Sequence, residues 1–326
     1  MTIEAKVIAD SISKLNGVRI TTFELEYPRF IHAEFMTHRL FSRNAASSRA
    51  IPVERALSLI RENTAMPIHW GKNQPGMSAK EECINLMRHV DFPEPKTVEI
   101  KCVGQLSRED AWNRGRDLAI EVAQQLSKAG YHKQIVNRLT EPYSHIKVVC
   151  TATEYDNFFH LRRHPDAQPE IQELANRMWE ARQSSKPVIL NPGEWHVPYY
   201  QDGFWRCWDM DEDTCNYDET ATLDDALAIS VSCCAQVSYR RLDDSLEKAR
   251  QLIERLKTAE VVYASPFEHQ ATPMDLISQY EEVGSLLVPG ITAITSNKNN
   301  GFSQWSGNFK EWIQYRQLIP NHVYNG

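Results

Sequence analysis

The densest group of chemically useful side chains lies in one short stretch, residues 37 to 49, which reads THRLFSRNAASSR. Three arginines, one histidine and three serines occur there: Arg39, Arg43, Arg49, His38, Ser42, Ser47 and Ser48. Guanidinium groups bind phosphate through paired hydrogen bonds, and hydroxyl and backbone N–H groups can donate to its remaining lone pairs. The stretch therefore predicts an anion-binding loop, and the alternative is a solvated loop whose arginines face water.

Two later segments carry arginines that could serve the same site. In GYHKQIVNRLTEP, residues 130 to 142, Arg138 precedes Pro142 by four residues. In TATEYDNFFHLRRHPDAQPEIQELA, residues 151 to 175, Arg162 follows an Asn-Phe pair. Taken alone, Arg138 is more simply explained as a surface arginine near a helix end, and only the three segments together indicate a shared site.

The order and spacing of these segments resemble the signatures of flavin-dependent thymidylate synthases (the ThyX family). The family's Arg-His-Arg motif, followed by seven residues and Ser, corresponds to residues 37 to 47. Six positions stand in register: His38, Arg39, Ser42, Asn44, Ser47 and Arg49. Four depart from the family: Thr37 for Arg, Ala45 for Glu, Ala50 for Tyr, and Glu34 where Gln is usual.

Two further family elements, Ala-x-Val-Ser and Ser/Thr-Pro-Phe-Glu-His, normally precede that motif but here lie near the C-terminus. CCAQVSYRR, residues 233 to 241, supplies Ser238, and ASPFEHQATP, residues 264 to 273, supplies Ser265 and Glu268. This order suggests a circular permutation, which is tolerated when the original termini lie close in space. We predict one catalytic domain over residues 1–326, with insertions at about 51–110 and 183–227, and a permuted segment, 228–326, that packs on the strand at 18–27.

The resemblance implies reductive methylation of dUMP to dTMP by a homotetramer, with methylenetetrahydrofolate as carbon donor and FAD and NADPH for reduction. It makes Arg162 the catalytic candidate, because a desolvated guanidinium can polarise the pyrimidine ring. It assigns dUMP binding to Glu34, Ser47, Ser48, Arg49, Arg138 and Arg162. It assigns FAD binding to Thr37, His38, Arg39, Asn157, Ser238, Ser265 and Glu268, and it implies no metal.

Three other interpretations stay open. A related flavin and folate enzyme could hydroxymethylate dUMP or dCMP, since Glu34, Thr37 and Ala45 alter nucleotide-facing positions. A non-catalytic homologue could bind nucleotide or flavin without turnover. A metalloenzyme could use His160 and His164, although Pro165 interrupts the helix that would align them.

The elements that must position these residues indicate an α/β (α+β) fold, in which a central sheet containing antiparallel strands is flanked by helices and carries loop-rich insertions. Residues 18 to 27 alternate Phe23, Leu25 and Tyr27 with polar side chains, as a half-buried strand does. A helix is predicted from Ser107, with Leu118, Val122 and Leu126 on its apolar face and Gly130 at its end. Two more are predicted at about 169–183, with Ile171, Leu174, Ala175 and Met178 inward, and at about 243–258.

Three segments are less regular in pattern. Residues 185 to 220 are predicted to be irregular, and together with residues 69 to 77 they are candidates for substrate-covering loops. Residues 308 to 319 show a helical stripe of Phe309, Trp312 and Ile313, which indicates core packing. Cys150 lies in an apolar run and is predicted to be a core residue rather than a nucleophile.

Composition limits the classes of function. A formal charge of −7 argues against a protein that coats nucleic acid, yet it permits a local phosphate site. No apolar window approaches the roughly 20 residues of a membrane span. Seven cysteines, an odd number that includes the adjacent Cys233 and Cys234, do not resemble the disulfide framework of a secreted domain and are expected to be reduced thiols. We therefore expect a cytoplasmic protein that acts on small molecules.

Overall fold

A computed structural model describes residues 3–75, 79–91, 101–206, 222–238, 242–258, 264–274 and 308–319. The strands in these ranges are β1 (Glu4–Ser13), β2 (Arg19–Pro28), β3 (Ser42–Ala45), β4 (Met87–Asp91), β5 (Lys101–Leu106), β6 (His145–Ala152), β7 (Val188–Leu190), β8 (Trp195–His196), β9 (Phe204–Trp205), β10 (Ala271–Pro273) and β11 (Trp312–Gln314). The helices are α1 (His32–Phe35), α2 (Val53–Glu62), α3 (Arg108–Lys128), α4 (Lys133–Val136), α5 (Asp156–Arg162), α6 (Pro169–Ser184), α7 (Leu223–Ala235) and α8 (Leu246–Thr258). Within these ranges no helix combines the length and apolar character that crossing a bilayer requires.

The central sheet has the strand order β3-β6-β2-β1-β7. Its β1–β2, β2–β6 and β3–β6 pairs are antiparallel, and β7 joins β1 in parallel. The predicted class and the predicted strand at 18–27 are therefore confirmed. The stretch at 37–49 is not a loop throughout, because Ser42–Ala45 pair with β6 as a short strand.

The main core lies between this sheet and α6. Phe23, Leu25 and Tyr27 of β2 are fully buried. The four predicted core positions of α6 are buried as well: Ile171, Leu174, Ala175 and Met178. Each large apolar side chain buried in this way contributes about 1.5–3 kcal/mol, so the amphipathic stripe fixes where this helix packs.

Helix α3 begins and ends as its sequence predicts, but only part of its predicted apolar face is packed. Ser107 Oγ accepts a hydrogen bond from the N–H of Asp110 at 3.1 Å, which caps the first turn. Leu118 and Val122 are 45% and 48% exposed, whereas Ile120 and Ala123 are buried. Helix α3 packs on α2 through Ile120 and Ala123, and of the three predicted apolar positions only the partly buried Leu126 contacts this cluster.

A second sheet, with the order β11-β10-β8-β9, corrects two predictions. The described part of the segment 185–220 is only partly irregular, since β7 joins the central sheet, β8 and β9 join the second sheet, and Trp195 is fully buried. Residues 312 to 314 form a strand rather than a helix, and their burial alternates with period two. Phe309 and Trp312 are buried, as expected of core residues.

The C-terminal segment contacts the central sheet at the start of β2. Trp312 Nε1 donates a hydrogen bond to the carbonyl of Val18 at 3.1 Å. Phe309 and Trp312 also share an apolar cluster with Ile20. These contacts lie at the strand on which the permuted segment is predicted to pack, while the permutation and the domain boundaries stay predictions.

A buried polar chain joins the two sheets. His196 contacts Ser11 through Nδ1 at 2.9 Å and Thr22 through Nε2 at 2.8 Å. Thr22 in turn bonds to Thr151 at 2.7 Å, and Thr151 bonds to His269 Nδ1 at 2.9 Å. Burial lowers the pKa of both His196 and His269 to about 3, so both imidazoles are neutral in the folded protein.

Because these two histidines are buried in the neutral form, we expect the protein to lose stability in mild acid. In the unfolded chain both imidazoles become protonated below the ordinary pKa of histidine, whereas in the folded chain they become protonated only near pH 3. The stabilising contribution is thus complete above about pH 6.5 and is lost as the pH falls toward the folded pKa. Between pH 7 and pH 5 we expect urea unfolding to show a loss on the order of 2 kcal/mol for each histidine.

The variant His269→Asn should show a smaller loss over this interval than the wild-type protein does. His164→Gln serves as the control, because it removes an exposed histidine that lies outside the buried chain. Equal pH dependence in the wild type and in His269→Asn would contradict the assignment.

Candidate functional site

A cavity of about 400 Å³ opens between the end of β2, the loop after β3 and the 3₁₀ turn at Asn137–Tyr143. Its walls carry three arginines, Arg29, Arg49 and Arg138, together with the hydroxyls of Ser47 and Ser48. His32, Ala33 and Glu141 complete the lining. The cavity thus concentrates guanidinium and hydroxyl donors, the groups that bind phosphate most strongly.

Four of the six predicted dUMP ligands line this cavity: Ser47, Ser48, Arg49 and Arg138. The loop that carries the first three is held by contacts to its backbone. The N–H of Ser47 donates to Ser238 Oγ at 2.8 Å, and Asn137 Nδ2 donates to the carbonyl of Ser48 at 2.8 Å. Because these contacts occupy backbone groups, the exposed side chain of Arg49 stays available to a ligand.

Four lining residues were not predicted from the sequence: Arg29, His32, Ala33 and Glu141. Arg29 Nε lies 3.5 Å from Glu141 Oε1, and its terminal nitrogens reach the carbonyl of Ala46 at 3.4 Å. Burial and the charge of Arg29 lower the pKa of His32 to about 4, so this imidazole is neutral. The sequence feature that could have indicated Arg29 and His32 is their position directly after a strand that leads into the serine- and arginine-rich stretch.

The other two predicted dUMP ligands, Glu34 and Arg162, form an ion pair next to this cavity. Arg162 Nη1 donates to Glu34 Oε1, and Arg162 Nε donates to His38 Nε2 at 3.1 Å. Glu34 lies on α1, whose His32 and Ala33 line the cavity. Since the contacts found in the described ranges use two of the five N–H donors of Arg162, this guanidinium is both oriented and able to bind a further acceptor.

His38 is fixed as a neutral hydrogen-bond acceptor. Its ring stacks on Phe41 at 5.7 Å and meets the edge of Phe158 at 4.8 Å. Burial, followed by the charges of Arg162 and Arg43, lowers its pKa to about 4. Because Arg162 can only donate, His38 Nε2 accepts and the ring proton lies on Nδ1.

Thr37 and Arg43 have structural contacts near this pair. Thr37 Oγ1 donates to the carbonyl of Glu34 at 2.7 Å and so closes the end of α1. Arg43 Nη1 donates to the carbonyl of Phe35 at 2.9 Å. Both side chains therefore hold the backbone of the short helix that carries Glu34.

The predicted FAD ligands fall into two groups. Thr37, His38 and Arg39 lie beside α5, which carries Asn157, and the contact of His38 with Phe158 joins these segments. Ser238 contacts the loop at Ser47, while Glu268 pairs with Arg316 and lies near β3. Thr37, Arg39, Asn157 and Ser265 are exposed. In the described ranges, none of the seven predicted FAD ligands lines the arginine cavity.

Other reactive groups of the described chain do not assemble into a site. Cys150, Cys233 and Cys234 are buried, and burial raises the pKa of Cys150 and Cys233 to about 12. His160 is exposed on α5, and His164 lies beyond its end with Nδ1 3.5 Å from Asp166. No group of three metal-ligating side chains occurs in the described ranges.

Comparison with known proteins gives a family match over residues 18–188, to the model described as thymidylate synthase complementing protein (Thy1). Among solved structures, a UMP/dUMP methylase PolB from Streptomyces cacaoi bound with 5-Br UMP is 18% identical, with 56% of this chain and 88% of that chain covered and a TM-score of 0.37. Thymidylate Synthase X from Helicobacter pylori with FAD and dUMP is 17% identical, with 50% and 67% covered and a TM-score of 0.32. No curated protein matches the chain significantly.

Proposed function

The chain belongs to the thymidylate synthase complementing protein family, and from this membership we propose that it is a flavin-dependent thymidylate synthase that methylates dUMP to dTMP. The proposal includes methylenetetrahydrofolate as carbon donor, FAD with NADPH as reductant, and a homotetrameric assembly. One observation carries it: the four residues Ser47, Ser48, Arg49 and Arg138, taken from two separate motifs, line a single cavity.

In this proposal the cavity holds the phosphate of dUMP. Arg49 and Arg138 come from two separate segments, and Ser47 and Ser48 supply neutral donors. A phosphate monoester carries about −1.5 to −2 charges at neutral pH, which two guanidinium groups can balance. Phosphate binding there brings the pyrimidine ring toward α1, where Glu34 positions Arg162.

Arg162 is the residue proposed to act on the pyrimidine. Carbon C5 gains electron density when the ring carbonyls are polarised or when N3 ionises, and a guanidinium stabilises the resulting negative charge. Glu34 and His38 each accept one hydrogen bond from Arg162, so its plane is set before the substrate binds. The neutral His38 adds no positive charge that would compete with Arg162 for the ring.

The residues present fit a flavin ligand at two places. Arg39, Asn157 and Ser265 are exposed polar side chains, as contacts to a dinucleotide require. Thr37, His38 and Arg39 with Asn157 would hold one part of FAD, and Ser238, Ser265 and Glu268 would hold another. Bound FAD supplies the hydride-transfer chemistry, and the protein orients the reactants.

Product identity tests the proposal. The purified protein is incubated with dUMP, methylenetetrahydrofolate, FAD and NADPH, and the nucleotide product is identified by mass. A gain of CH₂ supports thymidylate synthesis. Flavin binding without any nucleotide product would overturn the proposed activity and leave a binding protein.

A second candidate reaction is hydroxymethylation, which would add CH₂O to the pyrimidine instead. The observation that favours it is the carboxylate of Glu34 beside Arg162, at a position where the family usually has the neutral amide of Gln. A carboxylate there changes the charge next to the ring. The same mass measurement, repeated with dCMP, separates the two reactions.

A further inference from the structure

The arginine cavity contains a carboxylate that an anion-binding site does not need. Glu141 lines the same walls as Arg29, Arg49 and Arg138. Three guanidinium groups and one carboxylate leave a surplus of two positive charges. This positive surplus equals the charge of about −2 on a phosphate monoester. The negative charge of a diphosphate or a triphosphate is larger than the surplus.

The backbone places Glu141 next to the phosphate-binding arginine. Arg138 and Glu141 are three residues apart in the 3₁₀ turn at Asn137–Tyr143. Side chains at this spacing eclipse each other in a 3₁₀ helix, so an anion bound to Arg138 lies close to the carboxylate of Glu141. Like charges at such a distance repel each other, and this repulsion is a means of rejecting wrong ligands.

Arg29 explains how the protein tolerates this carboxylate. Its Nε is 3.5 Å from Glu141 Oε1, and the two side chains are 19% and 29% exposed. Within the described ranges, the contacts of the Arg29 guanidinium to Glu141 and to the carbonyl of Ala46 measure 3.4–3.5 Å. Arg29 thus balances the charge of Glu141 without a close bidentate pair, and it keeps Glu141 on the wall of the cavity.

We infer that Glu141, held by Arg29, is a specificity-determining residue that restricts the cavity to nucleoside monophosphates and rejects diphosphates and triphosphates. This inference rests on the proposed function for the uridine part of the ligand. The phosphate part depends only on the charges that line the cavity.

Binding of dUMP, dUDP, inorganic phosphate and pyrophosphate is measured by calorimetry for the wild-type protein and for Glu141→Gln. The wild-type protein should bind each monophosphate ligand more tightly than its diphosphate counterpart. Glu141→Gln should reduce this preference by about tenfold, mainly through tighter diphosphate binding. Arg29→Gln, which leaves Glu141 unbalanced, should weaken the binding of all four ligands.

The control is Glu173→Gln, which removes the same charge from an ion pair with Arg177 on α6, away from the cavity lining. It should leave the preference unchanged. A preference in Glu141→Gln that stays within about twofold of the wild-type value, or an equal change in Glu173→Gln, overturns the inference. If the wild-type protein selects phosphate over pyrophosphate but binds no uridine nucleotide, the proposed function fails and the inference stands.

Discussion

Replacing Arg162 by alanine is expected to lower the rate of the chemical step by about 10²–10³-fold, the effect typical of removing one electrostatic donor from an active site. The guanidinium is the charged donor that Glu34 and His38 hold in place next to the cavity. Its loss leaves Glu34 without its cation, so the neutral ion pair next to the pyrimidine becomes a net negative charge. The phosphate ligands Arg49 and Arg138 are untouched, and dUMP binding should weaken less than turnover does.

Single-turnover measurements of product formation, at saturating dUMP and with the flavin reduced beforehand, separate the chemical step from binding and from flavin reduction. Arg163→Ala is the matched control. The Arg163 guanidinium lies 4.0 Å from the centroid of the Trp179 ring and donates to Asn176, away from the cavity lining. A loss in Arg162→Ala no larger than in Arg163→Ala would remove Arg162 from the chemistry.

Parts of this fold follow directly from local sequence patterns. The stripe of Ile171, Leu174 and Met178 repeats at helical spacing, and burial of that face confirms it. The alternation of Phe23, Leu25 and Tyr27 likewise matches the observed strand β2. In both cases one face of the element packs on the main core, so the spacing of apolar residues is enough to predict which side chains are buried.

Other parts depend on which neighbours an element meets. Leu118 and Val122 have the spacing of an apolar face, yet α3 packs through Ile120 and Ala123 because α2 and the 3₁₀ turn lie on that side. Residues 312 to 314 read as part of a helical stripe, but pairing with β10 makes them a strand. Local propensity is overridden where a short segment completes a sheet.

The residues of the candidate site likewise include some that local motifs predict and some that they do not. Arg49 and Arg138 belong to motifs with recognisable spacing, whereas Arg29 and Glu141 are single residues separated by more than one hundred positions. The pairing of β2 with β6, which sets Pro28 opposite His145, brings their segments together. Charge balance in a cavity is a property of the assembled fold, and no local pattern in the sequence indicates it.

Gly203→Ala is expected to lower the free energy of unfolding by about 3 kcal/mol or more, since backbone strain and steric overlap add at this position. Gly203 has φ +89°, and a Cβ built there would lie 2.8 Å from both Cα and Cβ of Ala9 and 3.0 Å from the carbonyl oxygen of Ile8. Its carbonyl accepts from the N–H of Val197 at 3.0 Å, and its N–H donates to Tyr200 at 2.7 Å. These contacts leave the turn little freedom to move away from β1.

The same turn already contains strain, because Tyr199 and Gln201 have φ values of 67° and 41° although neither is glycine. Gly17→Ala is the matched control. Gly17 has φ +70°, but a Cβ there would meet no atom within 4 Å. It should therefore lose only the roughly 1–2 kcal/mol of a left-handed residue. Urea unfolding at pH 7 compares the two variants, and equal losses would show that β1 yields to the added methyl group and that close approach to Ala9 is not what requires glycine at position 203.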